Sequence, residues 1–236
     1  MTTMTRAPMG TDRARLAARV AGTYLLTPDG DAAAFSAVRA RLDAALAAGV
    51  SVVQFRNKRV DAAERRAQAR ALRELAHARG ALFIVNDDVD LALEVGADGV
   101  HLGRDDGDVA TVRARLPHGL LGVSCYNDFA RAETAAAEGA DVIAFGAVFV
   151  SGTKPHAVRA PLDLLRRARE RFAGQRIVAI GGIDASNIRS VSAAGAHAAA
   201  LISAVFDAVD PDTAVRRLQN AFYEGQLEYD SQRTTV

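Results

Sequence analysis

Short runs of Val, Ile, Leu and Phe alternate along the chain with longer stretches in which Ala, Leu and Arg recur at helical spacing. Eight of the apolar runs are predicted as strands: TYLLT (Thr23–Thr27), SVVQFR (Ser51–Arg56), LFIVND (Leu82–Asp87), DGVHLG (Asp98–Gly103), LLGVSC (Leu120–Cys125), DVIAFGAV (Asp141–Val148), RIVAIGG (Arg176–Gly182) and AAALIS (Ala198–Ser203). Segments between them, such as FSAVRARLDAALAAG, DAAERRAQARALRELAHARG and FARAETAAAEG, read as helices, several closed by a glycine suited to a left-handed cap. Asp61 with Glu64 has the spacing of a capping box, and Asp210-Pro211 puts a cap and a first-turn proline before a final helix.

Eight strands, each followed by a helix, make the count of a closed (β/α)8 TIM barrel: a parallel eight-stranded sheet ringed by helices. The near-continuous apolar runs suit parallel strands buried on both faces. An open doubly wound sheet is the competing α/β architecture, but neither GxGxxG nor GxxxxGK[ST] occurs after an early strand. Residues 21–224 are therefore expected to form a single barrel domain. Residues 1–20 read as an N-terminal arm, partly disordered or a short helix, and 225–236 as a polar tail that frays.

Composition narrows the class. The 236 residues are 50% hydrophobic and 24% charged with a net charge of +1, as in a globular enzyme or binding domain, so no strongly basic surface for nucleic acid is implied. The Arg-rich helices carry Glu partners at helical spacing and read as solvated outer faces. The one cysteine, Cys125, has neither a disulfide partner nor zinc-ligand spacing, which fits a reducing compartment. No apolar stretch reaches the roughly 18 residues of a membrane span, and the N-terminal segment has no secretory apolar centre. A cytoplasmic location away from membranes is expected. Oligomeric state is open, with a homodimer as the default symmetric assembly.

Polar residues interrupt the apolar strands at their carboxyl ends. Gln54, Arg56 and Lys58 share one side of the second strand and close it; Asn86 and Asp87 close the third; Asp105 and Asp106 follow the fourth; Ser124 closes the fifth. After the sixth comes SGTKP with Ser151, Thr153 and Lys154, after the seventh Gly181-Gly182, and after the eighth Ser203. In a barrel those ends converge on one mouth, where active sites of this fold lie. Cations facing two carboxylates suggest a polyphosphate site, Arg and Lys meeting oxygens directly while Asp87 and Asp106 hold a hard divalent ion such as Mg2+. The Gly181-Gly182 turn before IDASNI supplies backbone N–H groups where barrels of this kind commonly take a phosphate.

The ordered signposts QFRNK, VNDDVDLALEVGADGVHLGRDD, GVSCYND, GADVIAFGAVFVSGTKP and VAIGGIDASNI resemble the thiamine-phosphate synthase family from roughly Tyr24 to Phe206. The resemblance implies a (β/α)8 transferase that joins hydroxymethylpyrimidine pyrophosphate to hydroxyethylthiazole phosphate, or its carboxylated precursor, and releases pyrophosphate with magnesium. On that likeness Gln54, Arg56 and Lys58, with Asn86 beside them, meet the pyrophosphate, and Asp87 and Asp106 are metal ligands. Ser124 lies near the pyrimidine and the departing group. Ser151, Thr153 and Lys154 belong to the loop after strand six, and Gly182 and Ser203 match the thiazole-phosphate site. Arg56, Lys58, Ser124 and Lys154 are the catalytic candidates. Arg104 stands where many members carry Gln, Ser151 where Thr is common, and Tyr126 where His often occurs. A related thiazole tautomerase looks to need a proton-transferring group at that last position. A non-catalytic barrel for thiamine-related phosphates is the alternative from another class. His101 reads as a structural hydrogen-bonding residue.

Overall fold

Alternation of side chains explains why eight short strands close on themselves. The computed structural model describes residues 10–150 and 158–234. The strands are β1 (Gly22–Leu26), β2 (Val52–Phe55), β3 (Leu82–Asn86), β4 (Gly99–Leu102), β5 (Leu120–Tyr126), β6 (Val142–Gly146), β7 (Arg176–Ile180) and β8 (Ala198–Leu201). They pair in parallel in chain order, and β1 closes on β8 with Gly22 opposite Ala198. One parity of each strand, including Leu25, Val53, Phe83, Leu121, Ile143 and Ile177, packs outward against the helices. The other, including Val52, Leu82, Leu120, Val142, Val178 and Ala198, fills the barrel interior. The predicted barrel is the observed fold, with strand ends shifted by a residue or two.

Helices α2 (Phe35–Ala47), α3 (Ala62–Ala78), α4 (Val89–Val95), α5 (Val109–Arg115), α6 (Phe129–Ala137), α7 (Leu162–Arg171) and α8 (Ile188–Ala193) surround the sheet. Asp61 caps α3 by accepting from Glu64 N at 2.9 Å, whereas the Glu64 carboxylate accepts from Gln68 Nε2. Asp88, Asp108 and Asp128 cap α4, α5 and α6 in the same way.

The N-terminal end of the barrel is covered. Helix α1 (Gly10–Ala18), preceding β1, brings Ala17 and Leu16 against the interior cluster, with Val20 following it. The C-terminal segment departs from the frayed tail expected over 225–236. After the short α9 (Ser203–Phe206), α10 runs as one helix over Pro211–Thr234 and buries Val215, Leu218, Phe222, Gly225 and Tyr229. Those positions continue a three-four spacing across polar sequence. A Cβ on Gly225 would collide with Ser192 Oγ and Arg189 O, so the glycine is what lets α10 lie close against α8.

Candidate active site

The upper layer of the barrel interior is polar on one side and apolar on the other. From β1 to β5 the polar inward positions are Tyr24, which lies beneath the apolar Leu26, and then Gln54, Asn86, His101 and Ser124. Tyr24 Oη donates to Gln54 Oε1 at 2.8 Å, Gln54 Nε2 donates to Asn86 Oδ1 at 2.6 Å, and His101 Nε2 lies 2.9 Å from Ser124 Oγ. Burial raises the Tyr24 phenol far above its ordinary value, so it keeps its proton. Burial also lowers the His101 imidazole to about 4, outweighing the attraction of Asp106, so the ring is neutral. On β6 to β8 the interior cluster instead holds Ala144, Val178, Ile180 and Ala200.

Above this layer the rim is charged. Arg56 Nη1 pairs with Asp29, whose other oxygen accepts from Lys58 N at 2.9 Å. Thr27 Oγ1 donates to Arg56 O and accepts from Arg56 N, holding the end of β2 to the end of β1. Lys58 Nζ lies 2.9 Å from Asp87 Oδ2. A cavity of about 470 Å³ opens here, lined by Arg56, Lys58, Asn86, Asp87 and Asp106 among others.

Asp87 and Asp106 form the acidic centre. Asp87 takes a left-handed backbone conformation, φ 64°, and its N–H donates to His101 O. Short acidic side chains tolerate that region better than most. Asp106 Oδ2 accepts from Gly103 N at 3.0 Å, and a Cβ on Gly103 would strike that oxygen. The Asp106 carboxyl is held above its usual value, first by burial, then by its hydrogen bond to Asp87 and by the Asp87 charge; Gly103 N–H and Lys58 oppose the shift. Two carboxylates thus share one ammonium, an arrangement that a divalent cation would relieve. Among the described residues no three His, Cys, Asp or Glu side chains converge on one point, so a cation here would keep water or substrate oxygens as its other ligands, as Mg2+ commonly does.

Ser124 sits on the neighbouring strand. Arg131 of α6 donates from Nε to Ser124 O and from Nη2 to Gly103 O, both at 2.8 Å, which ties the ends of β4 and β5 together. The β5–β6 register shifts between Ser124 and Tyr126, and Tyr126 also has positive φ, at 55°. Its ring lies under Arg104, with Cζ 4.7 Å from the centroid.

Across the mouth, Gly181 and Gly182 follow β7 with φ of 101° and 64°, and a side chain on Gly182 would collide with Val150 O. Asn187 Nδ2 donates to Gly182 O, folding the IDASNI turn back on itself. Ser203 is exposed at the start of α9. Barrel closure puts Gly182 and Ser203 on the same rim as the charged cluster, away from Asp87 and Asp106. Ser151, Thr153 and Lys154 lie outside the described residues. Gln54 is buried beneath the rim with both ends of its amide engaged.

Sequence reasoning passed over Tyr24, Asp29 and Arg131. Asp29 carried a readable signal, since it follows the first strand at its carboxyl end as the other rim residues follow theirs.

Fold and rim together define a (β/α)8 barrel with charged side chains gathered around a cavity at its C-terminal mouth, where enzymes of this fold carry their active sites. The family model described as Thiamine monophosphate synthase matches residues 23–205, and the chain belongs to that family. It is 51% identical over 204 residues to a thiamine-phosphate synthase of Halorhodospira halophila, covering 85% of this chain and 93% of the relative. A thiamine-phosphate synthase of Chromobacterium violaceum is 52% identical over 206 residues, with 86% and 97% covered. Among solved structures, a thiamine phosphate pyrophosphorylase from Pyrococcus furiosus superposes with a TM-score of 0.79 at 32% identity, covering 89% of this chain and 98% of its own.

Proposed function

We propose that this chain is a thiamine-phosphate synthase, a transferase that joins 4-amino-2-methyl-5-hydroxymethylpyrimidine pyrophosphate to hydroxyethylthiazole phosphate, or its carboxylated precursor, and releases pyrophosphate. The observation that carries the reading is the convergence of Arg56, Lys58, Asp87 and Asp106 on one cavity at the barrel mouth.

The reaction breaks the bond from the pyrimidine methylene carbon to the pyrophosphate oxygen, whose electron pair leaves with the pyrophosphate. The thiazole nitrogen supplies the pair for the new C–N bond. Positive charge on the methylene carbon is shared with the electron-rich aminopyrimidine, so no protein nucleophile is required. Arg56 and Lys58 face the charge that develops on the leaving group, and Lys154 belongs to the same set on the resemblance of SGTKP. Asn86 and Ser124 offer polar contacts deeper in the barrel, and Gln54 acts on the pyrophosphate through Asn86. Asp87 and Asp106 would hold Mg2+, which when bound supplies further neutralisation of pyrophosphate oxygens. Gly182 and Ser203 would take the thiazole phosphate on the opposite side, and Ser151 and Thr153 join the substrate-binding set on the resemblance of SGTKP. Preorganised charge and positioning do most of the work.

The same reading places a single catalytic domain over 21–224 in the cytoplasm, as a homodimer, with small molecules as its substrates. Among the described residues no helix is long and apolar enough to cross a membrane.

Incubation with both phosphorylated precursors, with and without Mg2+, tests the proposal. Metal-dependent pyrophosphate release that needs both precursors is expected. Conversion of the thiazole alone would identify a tautomerase, and binding of either precursor without turnover would identify a carrier; each would overturn the synthase reading.

A further inference from the structure

Two buried side chains touch the hidden ends of site residues. Tyr24 is 3% exposed, and its hydroxyl has Gln54 Oε1 as its hydrogen-bond partner. A phenol has one proton to give, and burying it unpaired would incur the full desolvation penalty of the group. The proton therefore goes to Gln54, which settles the amide: Oε1 faces Tyr24 and Nε2 faces Asn86, donating to Oδ1. With Oδ1 so engaged, Asn86 turns its NH2 toward the cavity that it lines.

His101 acts on Ser124 by the same logic. Its Nδ1 is buried without a hydrogen-bond partner, packed against Gly122, where any side chain would strike it. A proton on Nδ1 would make a buried unpaired N–H, which native structures avoid more strictly than an unpaired acceptor. The ring thus carries a proton on Nε2, the nitrogen that has a partner, and gives it to Ser124 Oγ at 2.9 Å. Ser124 then accepts from inside the barrel, and its own proton points away from the imidazole.

We propose that Tyr24 and His101 are positioning residues whose buried protons set the direction of two short hydrogen-bond relays, so that Asn86 and Ser124 meet the mouth as donors. An anionic leaving group needs donors, and an amide oxygen or a hydroxyl lone pair turned toward it would repel it. The inference rests on the synthase reading for its purpose, but the direction of the relays is a property of the protein alone.

Nitrogen-15 NMR of the histidine-labelled full chain at neutral pH, with the His101 signals assigned by their loss in His101→Gln, reads that direction. A neutral ring protonated on Nε2 is expected, and a ring protonated on Nδ1 overturns the proposal. In steady-state pyrophosphate release, Tyr24→Phe and His101→Asn are each expected to lower kcat roughly tenfold with the KM for thiazole phosphate unchanged. His101→Gln, whose amide nitrogen reaches about where Nε2 stood, is expected to stay within about threefold of wild type. Wild-type kcat in Tyr24→Phe, or equal losses in the two His101 variants, would overturn it. If the wild-type protein released no pyrophosphate, the synthase reading would fall, while the tautomer would still decide the direction at Ser124.

Discussion

The two ends of this barrel use the same chemical groups in opposite proportions. At the floor one carboxylate, Asp141, meets two guanidiniums, Arg13 Nε at 2.9 Å and Arg113 Nη2 at 2.6 Å, and also accepts from Leu121 N. At the mouth two carboxylates, Asp87 and Asp106, divide one ammonium. The floor site is saturated and joins α1, α5 and β5 around a closed apolar plug. The mouth site is under-neutralised beside an open cavity. A carboxylate with all its partners is structural, whereas a pair short of positive charge is an arrangement that a cation would relieve.

The largest effect should come from emptying the floor. Asp141→Ala leaves Arg113, 13% exposed, without its counter-charge, and breaking a buried pair in this way costs about 3–5 kcal/mol. Urea unfolding should show that loss, while turnover per folded molecule stays at the wild-type level. A variant of normal stability and reduced turnover would break the contrast between the two ends.

Next comes the converse change at the mouth. Asp87→Asn or Asp106→Asn should lower turnover at least about a hundredfold, through loss of preorganised charge worth roughly 3 kcal/mol in the barrier. Stability should hold or rise. Asp106 binds its proton more tightly folded than unfolded, so its contribution is whole below the unfolded value and is lost as pH rises through the folded one. Near neutral pH its charge therefore works against folding, and the amide removes that charge. Lower melting temperatures for both variants would refute the assignment.

A smaller, graded effect compares the two ends by pH. Burial lowers His197 to about 3, helped by Arg176 and Arg169, and its Nδ1 accepts from Ile177 N just above the floor. His101, just below the mouth, is lowered to about 4. Both rings are neutral when folded, so their contribution is complete above the unfolded value near 6.5 and is lost as pH falls toward the folded values. Each should cost roughly 1.5–2 kcal/mol between pH 6.5 and 5. His197→Gln should remove about half of that slope in pH-dependent unfolding, and an unchanged slope would show that His197 is not the group responsible.

Strand count, closure and most of the rim were legible in the sequence because they depend on local periodicity and on one topological rule, that carboxyl ends converge. Lys58 and Asp87 follow from that rule, which points to Asp105 as readily as to Asp106, the one that lines the cavity. Other residues depend on reach through space. Tyr24 looks like any apolar strand residue until its parity places the hydroxyl against Gln54. Arg131 sits in the Ala-rich segment FARAETAAAEG, and nothing local indicates that it clamps the carbonyls of Gly103 and Ser124. The segment after Phe222 misleads for a related reason: its composition is polar, but Gly225 and Tyr229 keep the spacing of the buried face, and the contact that rewards it lies on α8.

The finest test concerns Arg104, a rim cation that is stacked rather than neutralised. Its guanidinium lies over Tyr126 and is exposed, a contact worth about 0.5–1 kcal/mol in such settings. Arg104→Gln should thus leave the melting temperature almost unchanged. Held at the edge of an anion site, however, the charge should aid capture of the pyrophosphate substrate. Its loss should raise the KM for that substrate about threefold at low salt and less at physiological salt, where the screening length is about 8 Å. Arg104→Lys keeps the charge but loses the planar stack, so it should restore KM if long-range attraction is the cause. If Lys and Gln behave alike, the stacked geometry matters and the field does not, and Arg104 would belong with the saturated groups of the floor rather than with the open charges of the mouth.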